Sequence, residues 1–188
     1  MLRLPRSTAV VSVKALKKAK VGLVVTGSEV FHGLIEDKLP LFLTAEIADL
    51  GSQVAGVAFA PDDETMIAAA IGAHLDSGCD LLILSGGMSV DPDDVTRKAI
   101  RMAGAGEVHY GAAALPGAMF LTAYIGDTPL LGVPACGLHH RITVLDLILP
   151  RILAGRTDRQ ELAFLGHGGL CRDCPVCSFP HCPFGKGI

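Results

Sequence analysis

The stretch DLLILSGGMSVDPDD, residues 80–94, decides the fold. Its first five residues form an apolar run of strand length without polar alternation, the pattern of a parallel strand buried on both faces. Ser85-Gly86-Gly87 then removes side chains where the backbone must turn, and Asp91-Pro92-Asp93-Asp94 opens a helix that continues as VTRKAIRMAG. A parallel strand feeding a helix puts its turn at the carboxyl edge of the sheet, where open α/β folds bind ligands. Glycine lets backbone N–H groups approach an anion, and a helix N-terminus adds partial positive charge. Asp91, Asp93 and Asp94 suit that end in two compatible ways. They stabilise the helix terminus, or they hold a hydrated cation such as Mg²⁺ between protein and phosphate. For Asp93, beside Pro92 in the first turn, capping is the simpler role.

Working outward, strands and helices alternate. Residues 21–26 form a first strand ending at Gly27-Ser28-Glu29, and residues 37–50 carry Leu39, Leu43, Ile47 and Leu50 at helical spacing. A second strand spans 54–59. Ala60-Pro61-Asp62-Asp63-Glu64 starts a helix that reaches about Ser77. Beyond Tyr110 the pattern changes to a strand pair, 118–124 and 129–133, preceded by the turn Leu115-Pro116-Gly117. Gly132-Val133-Pro134-Ala135-Cys136-Gly137 is a third glycine-containing strand end, and residues 138–155 read as a last long helix containing Pro150. The alternation predicts an α/β protein with a mostly parallel sheet covered on both faces, and three turns at one cleft.

Half of the 188 residues are apolar, enough for one α/β domain of this size, which buries roughly 70% of its unfolded surface. The net charge of −3 conceals an asymmetry. Residues 1–20 hold six Lys or Arg and no acid, leaving ten basic against nineteen acidic residues in the rest. That balance argues against nucleic acid as the partner of the body. The apolar stretch 9–13 is too short for a signal-peptide core, and no run reaches membrane-spanning length, so a cytoplasmic protein without membrane partners is expected. The division is a basic N-terminal extension, 1–20, an α/β domain, 21–155, and a cysteine-rich tail, 156–188.

Four motifs in register carry a family resemblance: TGSEV at 26–30, PDD at 61–63, SGGMSV at 85–90 followed by Asp94, and GVP at 132–134. In this order they resemble the molybdenum cofactor biosynthesis domain, a family that includes molybdopterin adenylyltransferases, molybdate-insertion enzymes and gephyrin. The resemblance covers about residues 20–155 and implies a three-layer α/β/α sandwich binding molybdopterin. By the same resemblance Thr26, Gly27, Glu29, Ser85, Gly86, Gly87, Ser89 and Pro134 line the pterin site, and Asp62, Asp63 and Asp94 are the acidic positions of a catalytic, Mg²⁺-holding set. Carboxylates cannot bind a phosphate directly but can hold the metal that does. The sequence departs from the family at residues 115–119, which carry no lysine, and at Ala135-Cys136-Gly137, which replaces glycine-asparagine-proline.

These readings lead to a molybdopterin-binding protein in biosynthesis, maturation or delivery of a molybdenum or tungsten cofactor. The alternatives are an adenylyltransferase or molybdate-insertion enzyme, and a non-catalytic pterin sensor. The expected partners are the pterin ligand and a molybdoenzyme client, with the chain itself a homo-oligomer.

The tail is a separate signal. Cys171, Cys174, Cys177 and Cys182, four of six cysteines, fall within twelve residues in the spacing C-x2-C-x2-C-x4-C. Thiolates this close suit one metal centre, either an iron–sulfur cluster, given the proline after the fourth cysteine, or zinc. With few apolar residues the tail is expected to bury no core, so that its order depends on the metal while the body's does not.

Overall fold

The computed structural model describes residues 13–35, 37–88, 95–135, 139–155 and 165–186. The elements run β1 (Lys20–Thr26), α1 (Ser28–Phe31), α2 (Leu39–Asp49), β2 (Gln53–Ala60), α3 (Glu64–Asp76), β3 (Leu81–Ser85), α4 (Val95–Met102), β4 (Val108–Tyr110), β5 (Leu121–Ile125), β6 (Thr128–Val133) and α5 (Val144–Leu153). They build one sheet in the order β2-β1-β3-β6-β5-β4. Neighbours from β2 to β6 are parallel, and β5 is antiparallel to both β6 and β4.

Side-chain alternation divides the core into two layers. Val21 and Leu23 of β1, Leu81 and Ile83 of β3, and Leu131 and Val133 of β6 face α2 and α5. Val24, Leu82, Leu84 and Leu130 face α3 and α4 on the opposite side. The all-apolar β3 is required by this arrangement, because both of its faces are covered; each such Leu or Ile, fully buried, contributes roughly 1.5–3 kcal/mol. The result is the expected three-layer α/β sandwich with a mostly parallel sheet.

The α5 boundary differs from the sequence expectation. The helix starts at Val144 rather than near Leu138, and His139 and His140 lie in the turn before it. Thr143 is the N-cap and Asp146 closes a capping box, accepting from Thr143 N–H at 2.7 Å, so the start signal is the T-x-x-D spacing. Pro150 stands inside the helix.

Segments near both ends of the described residues fasten to the body. Lys17 pairs with Asp80 at 2.8 Å, Lys20 N–H donates to the same carboxylate at 2.7 Å, and Lys17 N–H donates to the Leu153 carbonyl at 2.7 Å. Burial works to raise the Asp80 carboxyl, but the bonds from Lys17 and Lys20 prevail and hold it below its ordinary range. In the tail, Leu165 and Phe184 are 1% and 3% exposed and join the same core cluster as α2 and α5. The expectation of a tail without a share in a core is therefore corrected: two large apolar side chains near its ends suffice to dock it. Among the described residues no helix is long and apolar enough to cross a membrane.

Where α2 meets α5, Glu46 lies against Asp146. Its pKa is pushed up to about 8, first by burial, then by the charge and hydrogen bond of Asp146 and the charge of Asp49. The folded chain thus keeps a proton that the unfolded chain releases near 4.5, so this contribution to stability is lost as pH rises from there through about 8. Glu46→Gln should raise the melting temperature above pH 8 by about 2–4 °C, with the gain shrinking toward pH 5. A difference between variant and wild type that stays constant from pH 5 to 9 would show that the pair holds no such proton.

Candidate ligand site at the carboxyl edge of the sheet

β1 is where the direction of strand addition reverses: the chain leaves it to β2 on one side and returns past it to β3 on the other. The crevice between the carboxyl ends of β1 and β3 is the switch point of the sheet, where α/β folds take ligands. Thr26 ends β1 and Ser85 ends β3; both are buried, and Thr26 Oγ1 donates to the Ser85 carbonyl at 3.1 Å. Gly86 follows with φ +87°, and a Cβ there would fall on the Thr26 carbonyl oxygen and Oγ1. No side chain fits, so glycine at 86 is what lets the two strand ends close. Gly87, at φ +58°, continues the turn. Met88 is buried over β6, its Sδ and Cε lying where a side chain on Gly132 would have to stand.

The hydroxyl of Ser85, 1% exposed, has no hydrogen-bond partner among the described residues. Such an atom costs about 1–3 kcal/mol when left unmade, so its place beside the glycine turn marks the spot where a polar ligand group would compensate. Thr96 of α4, fully buried, lies 3.4 Å from Thr26 Oγ1 and had no motif to announce it in the sequence. Pro134 is buried directly after β6, whose Val133 pairs with Ser85. Gly27, at φ +139°, donates its N–H to the Ala60 carbonyl at 3.1 Å and joins the turn after β1 to the end of β2.

The acidic candidates occupy distinct roles. Ser28 N–H donates to Asp62 Oδ2 at 2.9 Å while Asp62 N–H donates to Ser28 Oγ at 3.2 Å, a reciprocal link between the first and second strand ends. Asp63 is the N-cap of α3, accepting from Met66 N–H at 2.8 Å. Glu29 is exposed on α1. Ser89, Asp94 and Cys136 lie outside the described residues. The structure thus brings Thr26, Gly27, Ser85, Gly86, Gly87 and Pro134 to adjacent strand ends.

Cys171, Cys174, Cys177 and Cys182 line a single cavity of about 80 Å³, with His140, Arg141 and Ile142 contributing to its wall. Their thiols are free, and among the described residues no group of three or more His, Cys, Asp or Glu is gathered so as to hold a metal ion.

The architecture is that of an open α/β sandwich with a glycine-lined crevice at the switch point. The chain belongs to the family described as a probable molybdopterin binding domain, whose model matches residues 22–154. A CinA-like protein of Mycobacterium marinum is 32% identical over 82 residues, 44% of this chain and 19% of that protein, so the match spans about a fifth of the relative's length. Among solved structures, the molybdopterin biosynthesis enzyme MoaB from Thermus thermophilus shares the fold, with a TM-score of 0.61 and 23% identity, over 73% of this chain and 98% of that one. The molybdopterin biosynthesis MoeA protein from Pyrococcus horikosii has a TM-score of 0.58 and 27% identity, over 76% of this chain and 37% of its own.

Because Gly86 meets backbone rather than a movable side chain, Gly86→Ala should lower the thermal midpoint by several degrees, corresponding to about 2–3 kcal/mol. Thermal or urea unfolding followed by circular dichroism measures this, and a midpoint within a degree of wild type would show that the strand ends are not as tightly closed as described.

Proposed function

We propose that the chain binds molybdopterin at the carboxyl edge of its sheet and serves in the biosynthesis, maturation or delivery of a molybdenum or tungsten cofactor. The family relationship over residues 22–154 supports the ligand class. The observation that carries the site is the buried Ser85 hydroxyl, without a partner among the described residues, next to a turn that admits only glycine. These residues fit the group: a pterin phosphate is rich in hydrogen-bonding atoms, and Gly86 and Gly87 leave the backbone open to close approach. Thr26, Gly27, Glu29, Ser89 and Pro134 complete the binding set. In this reading residues 21–155 form the ligand-binding domain, residues 156–188 are an extension docked on it, and Cys171, Cys174, Cys177 and Cys182 hold zinc or an iron–sulfur cluster. The protein acts in the cytoplasm as a homo-oligomer and passes its ligand to a molybdoenzyme client.

A catalytic reading, adenylyl transfer or molybdate insertion, places Mg²⁺ on Asp94 with Asp62 or Asp63. When bound, such a metal would neutralise charge on the transferring group. The absence of lysine from residues 115–119 favours binding without turnover, because no cation from that turn is available to clamp a transferring phosphate.

Gly87→Leu should abolish molybdopterin binding, measured by fluorescence quenching, while the variant still unfolds cooperatively; holding a non-glycine residue in the left-handed region costs about 1–2 kcal/mol, less than a domain's stability. Unaltered binding by the folded variant would remove this turn from the site. For turnover, incubation of wild type with molybdopterin, ATP and Mg²⁺, or with adenylylated molybdopterin and molybdate, should give no product. A robust Mg²⁺-dependent rate that is lost in Asp94→Ala would establish the enzyme reading instead.

A further inference from the structure

β2 closes one side of the sheet, and among the described residues no strand pairs with its outer edge. Its sequence, QVAGVAFA, holds neither a charge nor a proline, the usual devices that keep an edge strand from pairing with another chain. From Gly56 to Ala60 it runs in regular register with Gly22 to Thr26 of β1. The Ala60 carbonyl accepts from Gly27 N–H on the β1 side, so by alternation the backbone groups of Val57 and Phe59 point away from the sheet. Val57 pairs with Leu23, a residue of the α2 and α5 layer, which puts the side chains of Val57 and Phe59 on that face; they are 39% and 48% exposed.

The helix on the same face continues this surface. α2 packs on β2, and its Glu46 is turned inward against Asp146 of α5. At 100° per residue, Leu41, Thr44 and Ala48 stand about 140–160° round the helix from Glu46, on the side toward the sheet edge. All three are exposed and uncharged, and the Thr44 hydroxyl is satisfied within the helix by the Pro40 carbonyl at 2.7 Å.

Charge differs between the two ends of β2. Asp62 and Asp63, both exposed, follow its carboxyl end. At its amino end Gln53 N–H donates to the Ala19 carbonyl at 3.0 Å, which sets the exposed Lys18 beside the start of the strand. A second β2 laid antiparallel on the first, about a two-fold axis at Val57, brings the acidic end of each copy to the basic end of the other. The match occurs twice by symmetry, as an isologous contact requires. Strand pairing alone falls short of the roughly 800 Å² per partner that a stable interface buries, and the stripe on α2 extends the contact over the same face.

We infer that two copies of the chain join through their β2 edges, antiparallel, into one twelve-stranded sheet with α2 against α2 across the axis. This gives a surface and a symmetry to the homo-oligomer of the proposed function and rests on that part of it alone.

The test uses the full chain. Light scattering after size exclusion should give twice the 19.6 kDa of one chain. Val57→Lys and Val57→Glu each place like charges face to face on the axis, and each variant alone should run as a single chain while still unfolding cooperatively. Mixed in equal amounts at low salt, the two should recover the double mass, since position 57 then faces its opposite charge. Leu41→Glu, at an exposed position on α2, should also dissociate the pair, whereas Met102→Lys, exposed at the end of α4, should not. A zero-length carbodiimide reagent should join Lys18 to Asp62 or Asp63. The eight residues of β2 hold these groups about 26 Å apart within one chain, so that cross-link forms only between copies. An oligomer of any other mass, or a pair that survives Val57→Lys and Leu41→Glu, overturns the inference alone. A wild-type chain that runs singly overturns it together with the homo-oligomer, and neither result bears on molybdopterin binding.

Discussion

The contact between Gly86 and the Thr26 carbonyl is the constraint on which the crevice depends. Two parallel strands can end side by side with their turns diverging, but here the turn after β3 folds onto the last residue of β1 at a distance that excludes a Cβ. That approach fixes Thr26 Oγ1 on the Ser85 carbonyl and brings Thr96 of α4 within reach of the same hydroxyl. It also aims the chain toward β6, so that Met88 covers Gly132. A single backbone approach thus ties β1, β3, β6 and α4 into one floor. The buried Ser85 hydroxyl is left at its rim, with its hydrogen bond still to be made among the described residues.

Leu165 and Phe184 bracket the cysteine motif and anchor it in the core, whereas Cys174 and Cys177 in its middle are exposed. The tail therefore does not have to create a fold of its own, because its two ends are held by side chains buried against the body.

Much of the fold was legible in the sequence because it follows local rules. The apolar run of β3, the glycine turn after it and the acidic start of α3 each depend on residues within a few positions, and each is observed where the pattern put it. The Asp63 cap is equally local. Apolar content continues back through Leu138 and so does not mark the α5 start, which the Thr143 and Asp146 capping box sets. What could not be read depends on residues far apart in the chain. Glu46 meets Asp146 across one hundred positions, Leu165 and Phe184 find a core laid down by earlier elements, and the partnership of Thr26 with Thr96 exists only after α4 has packed. In the site, the glycines were readable by type, whereas the reciprocal link of Asp62 with Ser28 was not, since a carboxylate near a turn carries no mark of its partner.

His74 of α3 lies over Gly22 of β1, at a spot where any Cβ on that glycine would overlap the imidazole, and its Nε2 is 3.0 Å from the Leu23 carbonyl. A helix resting on a smooth apolar sheet can slide along it at little cost; one with a ring seated in a notch of the strand beneath cannot. At 1.5 Å per residue, the eleven positions from Asp63 to His74 measure roughly 16 Å, so the notch near one end of α3 determines how far its other end reaches beyond the sheet. The helix behaves as a gauge of fixed length. Its calibrated tip is the Asp63 turn, whose neighbour Asp62 grips Ser28 beside the crevice.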